Sequence, residues 1–197
     1  MTSHARARAG AARGASDRHV ALLRGINVGH AKRVAMVDLR ALMTDLGYDD
    51  VRTLLNSGNV VFGAPAGAGS DIARRIERGI IERLGISSRV TVLSAAEVAT
   101  AVADNPLLDV ANDPSRLFVS VLTNPMDRAK LMPLARRDWT PEALAIGARV
   151  GYIWCPAGMT KSPLSKAVGD TLGDTVTTRN WATMTKLHAL LGGRAPS

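Results

Sequence analysis

Hydrophobic residues fall either in short solid blocks or in series spaced at helical intervals, and the two kinds alternate along the chain. The first block, residues 20–23, reads as a buried strand ending at Arg24-Gly25. After a glycine-containing loop, Met36, Leu39, Leu42 and Leu46 recur on one helical face, and Gly47 supplies the stop. Residues 51–55 and 60–62 flank Asn56-Ser57-Gly58-Asn59, whose small polar residues tolerate positive φ, so this stretch predicts a β-hairpin. A second helix begins at Ser70 or Asp71, buries Ile72, Ile76, Ile80 and Leu84, and ends at Gly85. Residues 90–93 close the unit as a fourth strand. The order β-α-β-β-α-β is the split βαβ arrangement. Ser94 and Glu97 have capping-box spacing and start a further helix that runs to about Ala103.

Residues 107–116, rich in Asp, Asn and Pro, form a connector and the best internal boundary. Beyond it the pattern repeats. Leu117–Leu122 is a strong strand, and Asn124-Pro125 is a cap followed by proline at the first helical position. Residues 142–146 and 150–154 pair around Gly147-Ala148-Arg149. A helix from Pro163 to about Leu172 follows, then a short extended piece at 175–177 and a last helix over 181–191. The expectation is an α+β chain of two ferredoxin-like (βαββαβ) halves in tandem, with antiparallel sheets and a C-terminal helix. The halves span residues 19–104 and 105–197, behind a disordered basic tail at 1–18.

Composition narrows the function. At 197 residues the chain buries roughly 70% of its unfolded surface and needs no disulfide or metal to stay folded. Its one cysteine, Cys155, excludes a disulfide framework and reads as a small core residue, and the four histidines lack metal-ligand spacing. No apolar run reaches the roughly 20 residues needed to span a bilayer, so the expected setting is the cytoplasm, with no membrane partner. The formal net charge is +8, of which +3 falls in residues 1–18 (four Arg against Asp17). That excess attracts polyanions in a salt-dependent way.

Three segments place polar groups beside glycine or a helix start. In Arg24-Gly25-Ile26-Asn27-Val28-Gly29, followed by Lys32 and Arg33, glycines allow N–H groups to converge beside cations, an anion-holding geometry. The segment lacks the residues of a Walker A loop. In Gly158-Met159-Thr160-Lys161-Ser162-Pro163, Ser162 caps a helix whose positive end faces Lys161. In Thr177-Thr178-Arg179-Asn180-Trp181, Asn180 caps the last helix, Trp181 anchors it, and Arg179 offers a planar fork suited to phosphate or carboxylate. Asp49-Asp50 reads as a solvated turn. No acid–base constellation stands out, so catalytic residues remain unassigned.

The segments 21–29, 56–62 and 177–181, in that order, with Asn105-Pro106-Leu107 between them, resemble domain-of-unknown-function family 1697. The resemblance spans residues 19–191 and implies two ferredoxin-like halves and no established reaction. It marks Arg24, Asn27, Ser57, Asn59, Lys161, Ser162, Thr178, Arg179 and Asn180 as motif positions. His30, Asn56 and Pro163 depart from it. The leading expectation is a binding module for a phosphorylated or otherwise anionic ligand, a small molecule or nucleic acid, without a cofactor. The alternatives are an enzyme acting on a small phosphate-bearing metabolite and a purely structural or interaction protein.

Overall fold

The structure, a computed structural model, describes residues 17–28, 33–65 and 71–193. Its first half comprises β1 (Asp17–Leu23), α1 (Met36–Asp45), β2 (Asp49–Leu54), β3 (Asn59–Ala64), α2 (Ile72–Leu84), β4 (Val90–Ser94) and α3 (Ala95–Ala103). The second comprises β5 (Leu117–Leu122), α4 (Arg128–Ala135), β6 (Ala143–Ile146), β7 (Val150–Trp154), α5 (Pro163–Leu172), β8 (Val176–Asn180) and α6 (Trp181–Leu190). The two antiparallel sheets have orders β2-β3-β1-β4 and β6-β7-β5-β8, the same permutation twice. The chain is thus α+β, two tandem ferredoxin-like halves with a C-terminal helix.

Three expectations need correction. β1 starts at Asp17, inside the stretch assigned to the basic tail, because Asp17 and Arg18 pair with Ala64 and Gly63 of β3. Residues 1–16 lie outside the described residues. Asp49 and Asp50 belong to β2 rather than to a turn: the register shifts between Asp49 and Arg52, Asp50 takes φ 43°, and its carboxylate holds Arg18 and Arg52. The final strand runs to Asn180, so Arg179 and Asn180 are strand residues. The β-branched Val176, Thr177 and Thr178 fit the pleat, and the pairing with β5 extends to Phe118.

Alternation along β1 divides the core. Ala21 and Leu23 pack with Val60, Phe62, Ile76 and Ile80 beneath α1 and α2. Val20 and Leu22 point the other way, into a cluster containing Val119, Val121 and Tyr152 of the second sheet, Val98 of α3, and Trp181, Met184 and Leu187 of α6. The outer face of the second sheet packs Leu122 and Ile153 against Leu131 of α4 and Leu164 and Val168 of α5. The halves therefore share one inner core.

An approximate twofold relates them. Where β1 ends, the Arg24 N–H donates to the Arg89 carbonyl at 2.9 Å; where β5 ends, the Thr123 N–H donates to the Thr175 carbonyl at 2.9 Å. Counting on from those pairs matches Thr91 with Thr177, and Ser94 with Asn180, the caps of α3 and α6. The Thr91 and Thr177 hydroxyls meet at 3.4 Å, which puts the axis between them.

Candidate functional site

Beside that axis, a cavity of about 350 Å³ opens between β8, α5 and the loop that leaves β1. Arg24, Gly25 and Val28 line it from the first half; Ser120, Ser165, Gly169, Thr178 and Arg179 line it from the second. Two of the three expected segments therefore meet. The third reaches it only through Met159: Lys161 is exposed, in a single 3₁₀ turn, and stands outside the lining. Lys32 lies outside the described residues.

Thr177 touches Thr91 across the axis, so alternation turns Arg179, two residues on, toward the first half as well. Its Nε donates to Asn59 Oδ1 at 2.5 Å, and its Nη2 donates to the carbonyls of Leu23 (2.7 Å) and Ser57 (3.1 Å). Its Nη1 donates to the Thr178 carbonyl at 2.9 Å. None of these acceptors is charged, and burial pushes the Arg179 guanidinium down to about 10. Arg24 reaches the opposite way, its Nη1 donating to the carbonyls of Gly173 (2.6 Å) and Val176 (3.1 Å) in the second half. Its Nε and Nη2 have no partner among the described residues. Neither guanidinium is in an ion pair, and the lining contains no carboxylate, histidine or cysteine among the described residues.

The other motif residues shape this region. Asn27, at φ 55°, accepts from the Val34 N–H and donates to the carbonyls of Val34 and Asn56, which spends its amide on pinning the loop after β1. Fully buried Asn59 donates to the Leu54 carbonyl and to the Ser57 hydroxyl, so its oxygen is aimed at Arg179. Ser162 accepts the Ser165 N–H at 2.8 Å and the Cys155 S–H at 3.2 Å, and Asn180 accepts the Thr183 N–H at 2.9 Å. Both are helix caps. Thr178 shares a hydrogen bond with Ser120 at 2.9 Å on the cavity wall. Sequence reasoning passed over Ser120, Ser165 and Gly169. The signal for the last was available: glycine inside α5 costs helix stability with no turn to require it.

The twofold-equivalent cleft, of about 590 Å³, runs between β4, α2 and Thr123. Thr123 stands there where the first cavity has Arg24, and Leu93 is the counterpart of Arg179. The cleft carries Glu77 and Glu97 with Arg74, Arg89 and Arg149, and each glutamate is paired with an arginine inside it. Its glutamates also close the open edge of β4. Glu77 accepts the Val90 N–H at 2.9 Å, and Glu97 the Ser94 N–H at 2.8 Å.

Burial raises the Glu97 carboxyl, but the Ser94 backbone hydrogen bond and the Arg149 guanidinium outweigh it, and Glu97 ionises below its usual 4.5. A folded-state value below the unfolded one gives stability that is present above pH 4.5 and lost as pH falls through the folded value. Glu97→Gln is therefore expected to cost about 0.5–1 kcal/mol at neutral pH, discounted for partial exposure. In urea unfolding at pH 7 and pH 3 the gap from wild type should close at the lower pH.

A sequence profile described as "Protein of unknown function (DUF1697)" matches residues 17–152, more than half of the chain. The chain belongs to the DUF1697 family. The matched span includes the Arg24 and Asn59 segments and stops short of Arg179. No curated protein matches this DUF1697 chain. Among solved structures, a conserved bacterial protein, SP0830 from Streptococcus pneumoniae, is similar with a TM-score of 0.74 at 23% identity, over 90% of this chain and 99% of that one. That likeness establishes a common fold. Among the described residues of this DUF1697 protein, no helix is long and apolar enough to cross a membrane.

Proposed function

We propose that the chain is a cytoplasmic binding module for a small phosphorylated or otherwise anionic ligand, seated in the cavity between its halves. One observation carries this reading: Arg24 and Arg179 share a cavity without a carboxylate, while the twofold-equivalent cleft has two. A guanidinium withdrawn from water without a counter-charge is costly, and a bound anion offsets that cost. The uncommitted Nε and Nη2 donors of Arg24 supply the fork that a phosphate accepts. The volume of about 350 Å³ lies within the roughly 300–1,000 Å³ range of small-molecule sites. With no proton-transfer group on the described walls, binding is favoured over acid–base catalysis.

The test is calorimetric titration of the full chain with inorganic phosphate, adenosine monophosphate and a short single-stranded RNA at two salt concentrations. Gly169 supplies the control, because a Cβ built there meets nothing within 4 Å. Gly169→Ala should stabilise the protein by about 0.5–1 kcal/mol through helix propensity. Gly169→Leu should keep the fold, fill the cavity and abolish binding of the monophosphate. Binding that survives Gly169→Leu unchanged, or no binding by any of the three probes, would overturn the proposal.

A second reading has its own support. The bonds of Arg24 and Arg179 run reciprocally between the halves, so the two side chains also serve as straps. If strapping is their whole role, Arg24→Ala lowers the melting temperature and no phosphate probe binds to wild type.

A further inference from the structure

We infer a second ligand site, independent of the first, that takes a compact apolar molecule bearing one ammonium group. It is a cavity of about 310 Å³ between α3 and the β6–β7 turn, walled by Leu93, Ala101, Val150 and Tyr152. The twofold exposes why space is left there. Seven and ten residues after the cap, α6 carries Leu187 and Leu190, both packed in the inner core, whereas at the same steps α3 has Ala101 and, at its C-cap, Asp104. One helix thus fills its side of the shared core with leucines, and its counterpart leaves a hollow edged by a carboxylate.

The polar groups around this hollow select the ligand. All three nitrogens of its one cationic side chain are already committed: Arg149 donates to Glu97 through Nη1, to the Leu122 carbonyl at 3.2 Å through Nε and to the Thr123 carbonyl at 3.5 Å through Nη2. The Tyr152 hydroxyl donates to the Ala101 carbonyl at 3.0 Å. What remains is the negative charge of Asp104 and one hydroxyl. The Asp104 carboxylate has no hydrogen-bond or ion-pair partner among the described residues, and the Thr100 hydroxyl is also free to accept. An apolar body satisfies the walls, and a positively charged donor satisfies Asp104. A carboxylate or phosphate ligand would face Glu97 and Asp104 instead.

Methyl-resolved NMR titrations of the full chain with benzylamine, benzyl alcohol and benzoate test this, since the three share one ring and differ in charge. Benzylamine should bind most tightly and shift the methyls of Leu93, Ala101 and Val150, while benzoate should leave them unmoved. Asp104→Asn should weaken benzylamine by about fivefold, to the level of the alcohol. Ala101→Leu, which copies α6, should raise the melting temperature and block all three probes; Ala148→Leu serves if that variant does not fold. The inference falls if benzoate matches benzylamine or if Asp104→Asn changes nothing. It falls equally if the shifts survive a filled cavity, or if no probe binds at about 10 mM.

Discussion

Replacing Gly58 with alanine is expected to destabilise the protein by about 3 kcal/mol, the sum of left-handed strain near 1 and overpacking of about 1–3. Gly58 sits at φ +74°, and a Cβ there would lie 2.7 Å from Leu23 Cβ and 2.7 Å from Ile26 Cδ1. Leu23 Cβ is fixed to the backbone of β1, and both residues are buried, so neither can swing aside. Nor can the turn retreat freely, since the Leu23 N–H donates to the Gly58 carbonyl at 2.8 Å. For a chain of this size the loss corresponds to roughly 10 °C in melting temperature. Gly85→Ala makes the comparison clean: φ is +66°, nothing lies within 4 Å of its Cβ, and only about 1 kcal/mol should be lost. Equal losses at the two positions, measured by urea unfolding, would show that the contact with β1 does not constrain the turn.

Gly58 also illustrates what the residue pattern could and could not convey. Its place in a hairpin turn was legible, because turn chemistry is local. The approach of that turn to Leu23 was not, since it depends on how β3 lies against β1. The same division holds around the cavity. Ser162 and Asn180 were readable as caps because a cap acts on the N–H three residues ahead. Arg179 stands out by its donor fork, yet the pattern ends the extended piece at 177: β8, with four polar residues among five, carries little hydrophobic signal. Its partners Leu23, Ser57 and Asn59 lie more than a hundred residues away, and no periodicity encodes that distance. Helix-dipole reasoning groups Lys161 with the arginines, but it predicts a local field and says nothing of which cavity a neighbouring side chain lines. The repeated element order, by contrast, was sufficient for the fold class, because each half builds its sheet largely from hairpin and split βαβ rules.

Arg179→Met should cost about 3–4 kcal/mol, the largest loss from a side chain in the cavity. Methionine keeps most of the aliphatic bulk and removes every donor. Asn59 Oδ1 and the carbonyls of Leu23 and Ser57 then lose the partner that joins the halves. A buried acceptor left without a donor costs about 1–3 kcal/mol, and relief from burying an unpaired cation returns part of the total. Arg179→Lys separates charge from geometry: one ammonium cannot reproduce a fork that spans Nε and Nη2, so it should recover less than half of the loss. Asn59→Ala takes from Arg179 only the acceptor of its Nε, besides the donors to the Leu54 carbonyl and the Ser57 hydroxyl, and combined with Arg179→Met it should cost less than the two changes summed, since the second removes a contact already broken. Additive losses in that double-mutant cycle would mean that the 2.5 Å contact carries no coupling. An Arg179→Met protein as stable as wild type would go further, reducing the interhalf strap to incidental contacts and leaving the guanidinium without any structural duty to compete with a ligand.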